Sequence, residues 1–184
     1  MEKPKLFMIM LGCKPADRHT EQHDIYFTIA ATLEETVPGI NAFWPEAKGK
    51  IHIDAWREVT EVNGFQLAVV PKASTPEQQT LKLFFINLGG YKPGEFDEPH
   101  YKLLIVAPDM AAAVKQAKQT AFYKHTGFAG APSHVDDRYG VDVDDAFEVQ
   151  DILSASLSEQ YGLVITAGEN LKKDEVNLGY LKLF

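Results

Sequence analysis

Lys5-Leu6-Phe7-Met8-Ile9-Met10-Leu11-Gly12 returns 77 positions later as Lys82-Leu83-Phe84-Phe85-Ile86-Asn87-Leu88-Gly89. Both runs are apolar, of strand length and closed by glycine, so each reads as a β-strand. The match continues without a gap. Glu21 falls on Glu98, His23 on His100 and Ala30 on Ala107, giving nine identities over residues 5–30 and 82–107. Average composition would give roughly one or two. The chain is therefore expected to carry two related modules, 1–71 and 72–184, the second holding an inserted acidic segment and a C-terminal strand.

Each module reads as strand, long loop, strand, helix, strand, strand. The expected fold is α+β: two pseudo-symmetric ββαββ modules with mixed sheets and helices packed on one face. Asp24–Ala31 forms the second strand, and Thr32-Leu33-Glu34-Glu35 has the reciprocal capping pattern of a helix start. Pro38-Gly39 should kink or restart that helix. Asp109 caps its counterpart, Met110–His125. In the third strand, alternation puts Ile51, Ile53 and Ala55 on one face and His52, Asp54 and Trp56 on the other. A shift of 82 then lays His52 and Asp54 on His134 and Asp136. Asp145-Ala146-Phe147-Glu148 resembles another capping box and is expected to open an extra helix. Tyr161–Thr166 corresponds to Phe65–Val70. Leu181-Lys182-Leu183-Phe184 repeats Leu81-Lys82-Leu83-Phe84 and is expected to complete the sheet of the second module.

Leu11-Gly12, Glu21-Gln22-His23-Asp24 before an apolar strand, and Lys50-Ile51-His52-Ile53-Asp54 resemble the bacterial family known as domain of unknown function 1543, whose members carry one or two copies. The resemblance implies a two-copy architecture and brings no activity, substrate or catalytic residues with it. The second copy departs from the pattern at Gly90, Tyr91, Pro99 and Tyr101.

Composition narrows the function classes. The 184 residues are 45% hydrophobic and 24% charged, as in ordinary globular proteins, with a net charge of -8. That charge opposes binding to nucleic acid, because a phosphate backbone needs a Lys/Arg surface to displace its counterions. No apolar stretch approaches the ~20 residues that span a bilayer, and the run at residues 6–11 is too short for a secretion signal. The single cysteine, Cys13, cannot form an intramolecular disulfide, so a cytoplasmic location is expected. No Gly-x-Ser-x-Gly elbow, phosphate-binding loop, Rossmann fingerprint or EF-hand spacing occurs, and no motif specifies a cofactor.

What remains is a set of acid/histidine pairs with a spacing of two: Glu21 with His23, His52 with Asp54, Glu98 with His100, and His134 with Asp136. On a strand, residues two apart share a face, where a carboxylate can orient an imidazole. In one reading these are half-buried polar groups satisfying each other. In the other they line a ligand site, and His, Asp and Glu are suitable ligands for zinc, manganese or iron. Two functions follow: a module that binds a small molecule or a protein, including a second copy of itself through an exposed strand edge, or a small metal-assisted hydrolase or isomerase. Cys13 and Gly90, at matched positions after the first strands, read as small residues in a tight turn.

Overall fold

The computed structural model describes residues 3–90, 94, 96–125 and 142–183. In chain order the strands and helices are β1 (Lys5–Cys13), β2 (Gln22–Ala30), α1 (Val37–Phe43), β3 (Ile51–Glu58), β4 (Glu61–Val62), β5 (Phe65–Pro71), β6 (Lys82–Gly89), β7 (His100–Ala107), α2 (Met110–His125), β8 (Asp142–Glu148), α3 (Val149–Ile152), α4 (Ala155–Gln160), β9 (Tyr161–Ala167) and β10 (Asn177–Lys182). They build three sheets, ordered β10-β3-β1-β2, β4-β5-β9 and β7-β6-β8. Among the described residues every strand pair is antiparallel, so the sheets are not mixed as expected. β1 with β2, β4 with β5 and β6 with β7 are consecutive strands joined without a crossover, which antiparallel pairing allows and parallel pairing does not.

The chain folds into two compact units, Met1–Glu77 with Leu153–Phe184, and Gln78–Ile152. The division does not follow the sequence break after residue 71, because β9 and β10 are built into the first unit. β10 pairs with β3, so it completes the first sheet and not the second.

In the first unit, alternate β1 residues Phe7, Ile9, Leu11 and Cys13 pack against Ile40 of α1, Tyr26 of β2, Ile51 and Ile53 of β3, and Leu183. The helix is short because Pro38 sits in its first turn, behind a separate 3-10 turn at Glu34–Thr36. That is the restart expected from Pro38-Gly39. The capping box itself does not form. Instead Glu35 Oε2 accepts a hydrogen bond from the Ala31 amide at 2.9 Å. In the second unit, Phe84, Ile86, Leu88, Ile105 and Ala107 pack on Ala113 and Ala117 of α2. Asp109 caps that helix through the Ala112 amide at 2.8 Å.

The registers of the two units correspond closely. Lys5 pairs with Ala30, and Lys82 pairs with Ala107, both residues being displaced by 77. On the other side, Phe7 pairs with Glu58 and Leu11 with Ile53, while Phe84 pairs with Glu148 and Leu88 with Val143. The displacement along the third strand is thus 148 − 58 = 90, and likewise 143 − 53 = 90. Lys5 Nζ meets Glu58 at 2.7 Å, and Lys82 Nζ meets Glu148 at 2.7 Å. Both third strands carry one extra residue at the same level, Asp54 between the Met10 and Leu11 partners, and Asp144 between the Asn87 and Leu88 partners.

The bulges and the strand registers overturn three expectations. A bulge reverses the inside-outside alternation beyond it. Trp56 therefore lies on the core side, with its ring 6.1 Å from Phe7, and not on the His52 face. Asp145–Glu148 is strand and not a helix start, because its backbone pairs with β6 and Glu148 answers Lys82. The places of His52 and Asp54 are taken in the second unit by Asp142 and Asp144, and not by His134 and Asp136, which lie outside the described residues.

β5 and β9, the strands expected to correspond, pair with each other inside the first unit. Ala68 faces Val164, and the sequence displacement is 161 − 65 = 96, so Ala68 faces its own counterpart. The loop before β10 is tied down by Asp174, whose carboxylate accepts from Thr60 Oγ1 at 2.6 Å and from the amides of Thr60 and Glu61 at 3.1 Å. Burial pushes the nearby Arg57 pKa down, opposed by Asp174 and Glu61.

Candidate functional site

Gly12 lies near the end of the central strand of its sheet, with His23 of β2 on one side and His52 of β3 on the other. Cross-strand partners share a face, so both imidazoles project on the side away from α1. Asp54 joins them through the bulge, and Glu21 reaches in from the residue just before β2. The four side chains meet. His52 Nε2 is 3.2 Å from Glu21 Oε1 and 3.2 Å from Asp54 Oδ1. His23 Nε2 is 3.2 Å from Asp54 Oδ2 and 3.7 Å from Glu21 Oε2.

The glycine is what makes room. A Cβ at residue 12 would run into His52 Nε2 and Asp54 Oδ2. Gly12 thus does more than close the strand: it clears the floor of the cluster. The inner half of the site is sheltered: the His52 side chain is 10% exposed and that of Asp54 22%, while Glu21 and His23 are each 43% exposed.

Proton sharing does not satisfy this arrangement. One Nε2 carries at most one hydrogen, yet two carboxylates stand at equal distance from that of His52. Asp54 Oδ2 is shut off from solvent and makes no hydrogen bond. Each imidazole thus stands between the two carboxylates, and the four side chains form a closed ring of acid–histidine contacts. Cys13, next to Gly12, points into the core and is 0% exposed. Burial, reinforced by Glu21, pushes its thiol pKa up, which keeps it protonated and unreactive.

The second unit repeats the geometry in reduced form. Gly89 pairs with His100 on one side and with Asp142 on the other. A Cβ there would meet the Asp144 carboxylate. His100 Nε2 is 3.0 Å from Asp144 Oδ2, and one donor atom each of Glu98, His100 and Asp144 fall within 4.8 Å of one another. Of the eight residues singled out from sequence, six are thus drawn into two clusters, and only His134 and Asp136 are not described.

Residues 18–69 match the family model described as Domain of Unknown Function (DUF1543). The chain resembles that family. The matched stretch contains Glu21, His23, His52 and Asp54. No curated protein matches the chain. Among solved structures, the chain is similar to the protein Il1583 from Idiomarina loihiensis, with 19% identity, a TM-score of 0.62, and coverage of 97% of this chain and 96% of that one. At that identity the likeness shows a common fold.

Two site residues escape a reading based on identity. Asp144 was legible only through pattern, since Val141-Asp142-Val143-Asp144 repeats the alternation of Ile51-His52-Ile53-Asp54. Tyr180 of β10 had no signal at all: its ring stacks on that of His52, centroids 4.4 Å apart and planes tilted by 33°. A groove of about 310 Å³ elsewhere in the second unit, lined by Lys82, Met110, Phe147 and Asp151 among others, contains none of the clustered residues. No helix among the described residues is long and apolar enough to cross a membrane.

Proposed function

We propose that the chain is a tandem duplication whose modules bind divalent metal ions, with the principal site formed by Glu21, His23, His52 and Asp54. The observation that carries this reading is that one constellation, acid and histidine over a bare glycine beside a bulged acidic strand, is built twice in matching register. Asp54 Oδ2 is buried and accepts no hydrogen bond, although His23 Nε2 stands 3.2 Å from it. A cation drawn into this ring would neutralise the two carboxylates and give the imidazole nitrogens a partner.

Two histidines with two carboxylates suit borderline ions such as Zn²⁺, Mn²⁺ or Fe²⁺. The second site, with the single histidine His100 and the carboxylates of Glu98 and Asp144, is richer in oxygen and takes harder ions. The test is titration of metal-stripped protein with Zn²⁺, Mn²⁺ and Fe²⁺ by calorimetry. His52→Gln and Asp54→Asn are expected to weaken binding at the first site at least tenfold. Wild-type protein that binds none of these ions more tightly than about 1 mM, about −4 kcal/mol, would refute the reading.

The solvent-facing half of the site, at Glu21 and His23, also favours a metal-assisted enzyme, because a bound ion could hold a water molecule there as a nucleophile. Hydrolysis of activated esters or phosphodiesters by metal-loaded protein, abolished by Asp54→Asn, is the outcome expected of that second reading.

A further inference from the structure

We propose that Tyr180 is a positioning residue of the metal site, and that the C-terminal strand is a clasp that sets how tightly the first unit holds its ion. The inference rests on the metal-site reading above. It starts from a second irregularity. Leu178 pairs with Ala55 and Leu181 with Ile53, so three steps along β10 span two along β3. The surplus residue falls opposite Asp54, where β3 itself bulges against β1. Two bulges side by side turn Tyr180 onto the face of His52.

That turn depends on Gly179. Its φ of +126° lies in the region that side-chain-bearing residues rarely adopt, and nothing surrounds its Cβ position. The cost of replacing it is therefore conformational and not steric. Tyr180 itself is 68% exposed and Leu178 79%. The middle of β10 thus adds little buried area, while its ends are fixed, by Asp174 on the Thr60 and Glu61 amides and by Leu183 in the core.

An aromatic ring at such a position holds His52. Torsion about χ2 of histidine is broad, so a lone imidazole samples many orientations. A ligating histidine is usually fixed by a hydrogen bond from its second nitrogen. Among the described residues no such bond fixes the Nδ1 side of His52, and the Tyr180 ring is packed on its face instead. Stacking keeps Nε2 directed at Glu21 and Asp54. The second unit's sheet ends at β8, with no strand in the place of β10, so His100 and Asp144 have no equivalent cover among the described residues.

The experiment compares wild type, Tyr180→Ala, Tyr180→Leu and Tyr180→Phe. Zn²⁺ affinity and release into excess chelator are measured on the intact chain, with thermal unfolding of the metal-free forms as a control. Supporting partners of metal ligands change affinity about 10- to 100-fold. Tyr180→Ala and Tyr180→Leu are expected to weaken binding and speed release by about tenfold, while Tyr180→Phe, which keeps the ring, stays near wild type. Metal-free stability should hardly change, because the side chain is mostly exposed. Unchanged affinity and release in both Tyr180→Ala and Tyr180→Leu would overturn the inference, and so would a Tyr180→Phe variant as impaired as Tyr180→Ala. Should Tyr180→Ala fail to fold, Tyr180→Leu and Tyr180→Phe carry the comparison. A wild type that binds no Zn²⁺ overturns the site reading itself, which is a different result from a binding wild type with indifferent Tyr180 variants.

Discussion

Gly12 is the residue on which most depends, because it is central in its sheet and flanked on both sides by histidines. Any side chain there meets His52 and Asp54. Gly12→Ala is expected to abolish metal binding and to destabilise the protein by about 1–3 kcal/mol, the usual cost of forcing atoms into a packed place. Gly89→Ala meets only the more exposed Asp144 carboxylate, which can rotate away, so its stability loss should be smaller. Chemical denaturation of both variants against wild type checks the order, and equal losses would contradict this account of Gly12. Acidification offers a second test. The ligands must be deprotonated to hold an ion, so binding should release protons, and affinity should fall as pH falls. Calorimetry in buffers of different ionisation enthalpy measures the release.

Elements explain which parts of the sequence misled. The pattern Ile51-His52-Ile53-Asp54-Ala55-Trp56 reads as plain alternation, yet one extra residue at Asp54 sends Trp56 to the core. Bulges leave no signature in composition, so this reversal needed the pairing partner. The same is true of Asp145–Glu148, whose local chemistry suits a helix start and whose actual state is set by hydrogen bonds to β6. β10 is a third case. Its likeness to Leu81–Phe84 shows that it is a strand and says nothing of which edge it joins. Its join is testable through Leu183, which is 8% exposed in the first core. Leu183→Ala should cost about 2–5 kcal/mol, and denaturant midpoints should show it. Lys5→Ala should cost no more than about 1 kcal/mol, because its pair with Glu58 is more than a third exposed.

At the scale of the whole molecule, the chain order and the compact units disagree. Residues 153–184 close the first unit, with β9 beside β5 and β10 beside β3. A chain ending after Ile152 would leave β5 with only the two-residue β4 as partner and expose both edges. Such a truncation is expected to aggregate or to lose cooperative unfolding, which light scattering and thermal melts would reveal. Soluble, cooperatively folding protein from that truncation would mean that the first unit closes without its C-terminal strands.

The repeated strand, the α+β class, the short first helix behind Pro38, and the acid/histidine pairs that become the inner and outer halves of the site can all be read from the order of residues. These are legible because they depend on local periodicity, on backbone chemistry and on residue identity shared between distant segments. Folding adds that the pairs converge, that Gly12 clears their floor, that Asp142 and Asp144 stand in the places of His52 and Asp54, and that Tyr180 covers His52. Each of those facts depends on strand register. Register is fixed by pairing between segments far apart in the chain, and a single extra residue changes it without changing the local pattern.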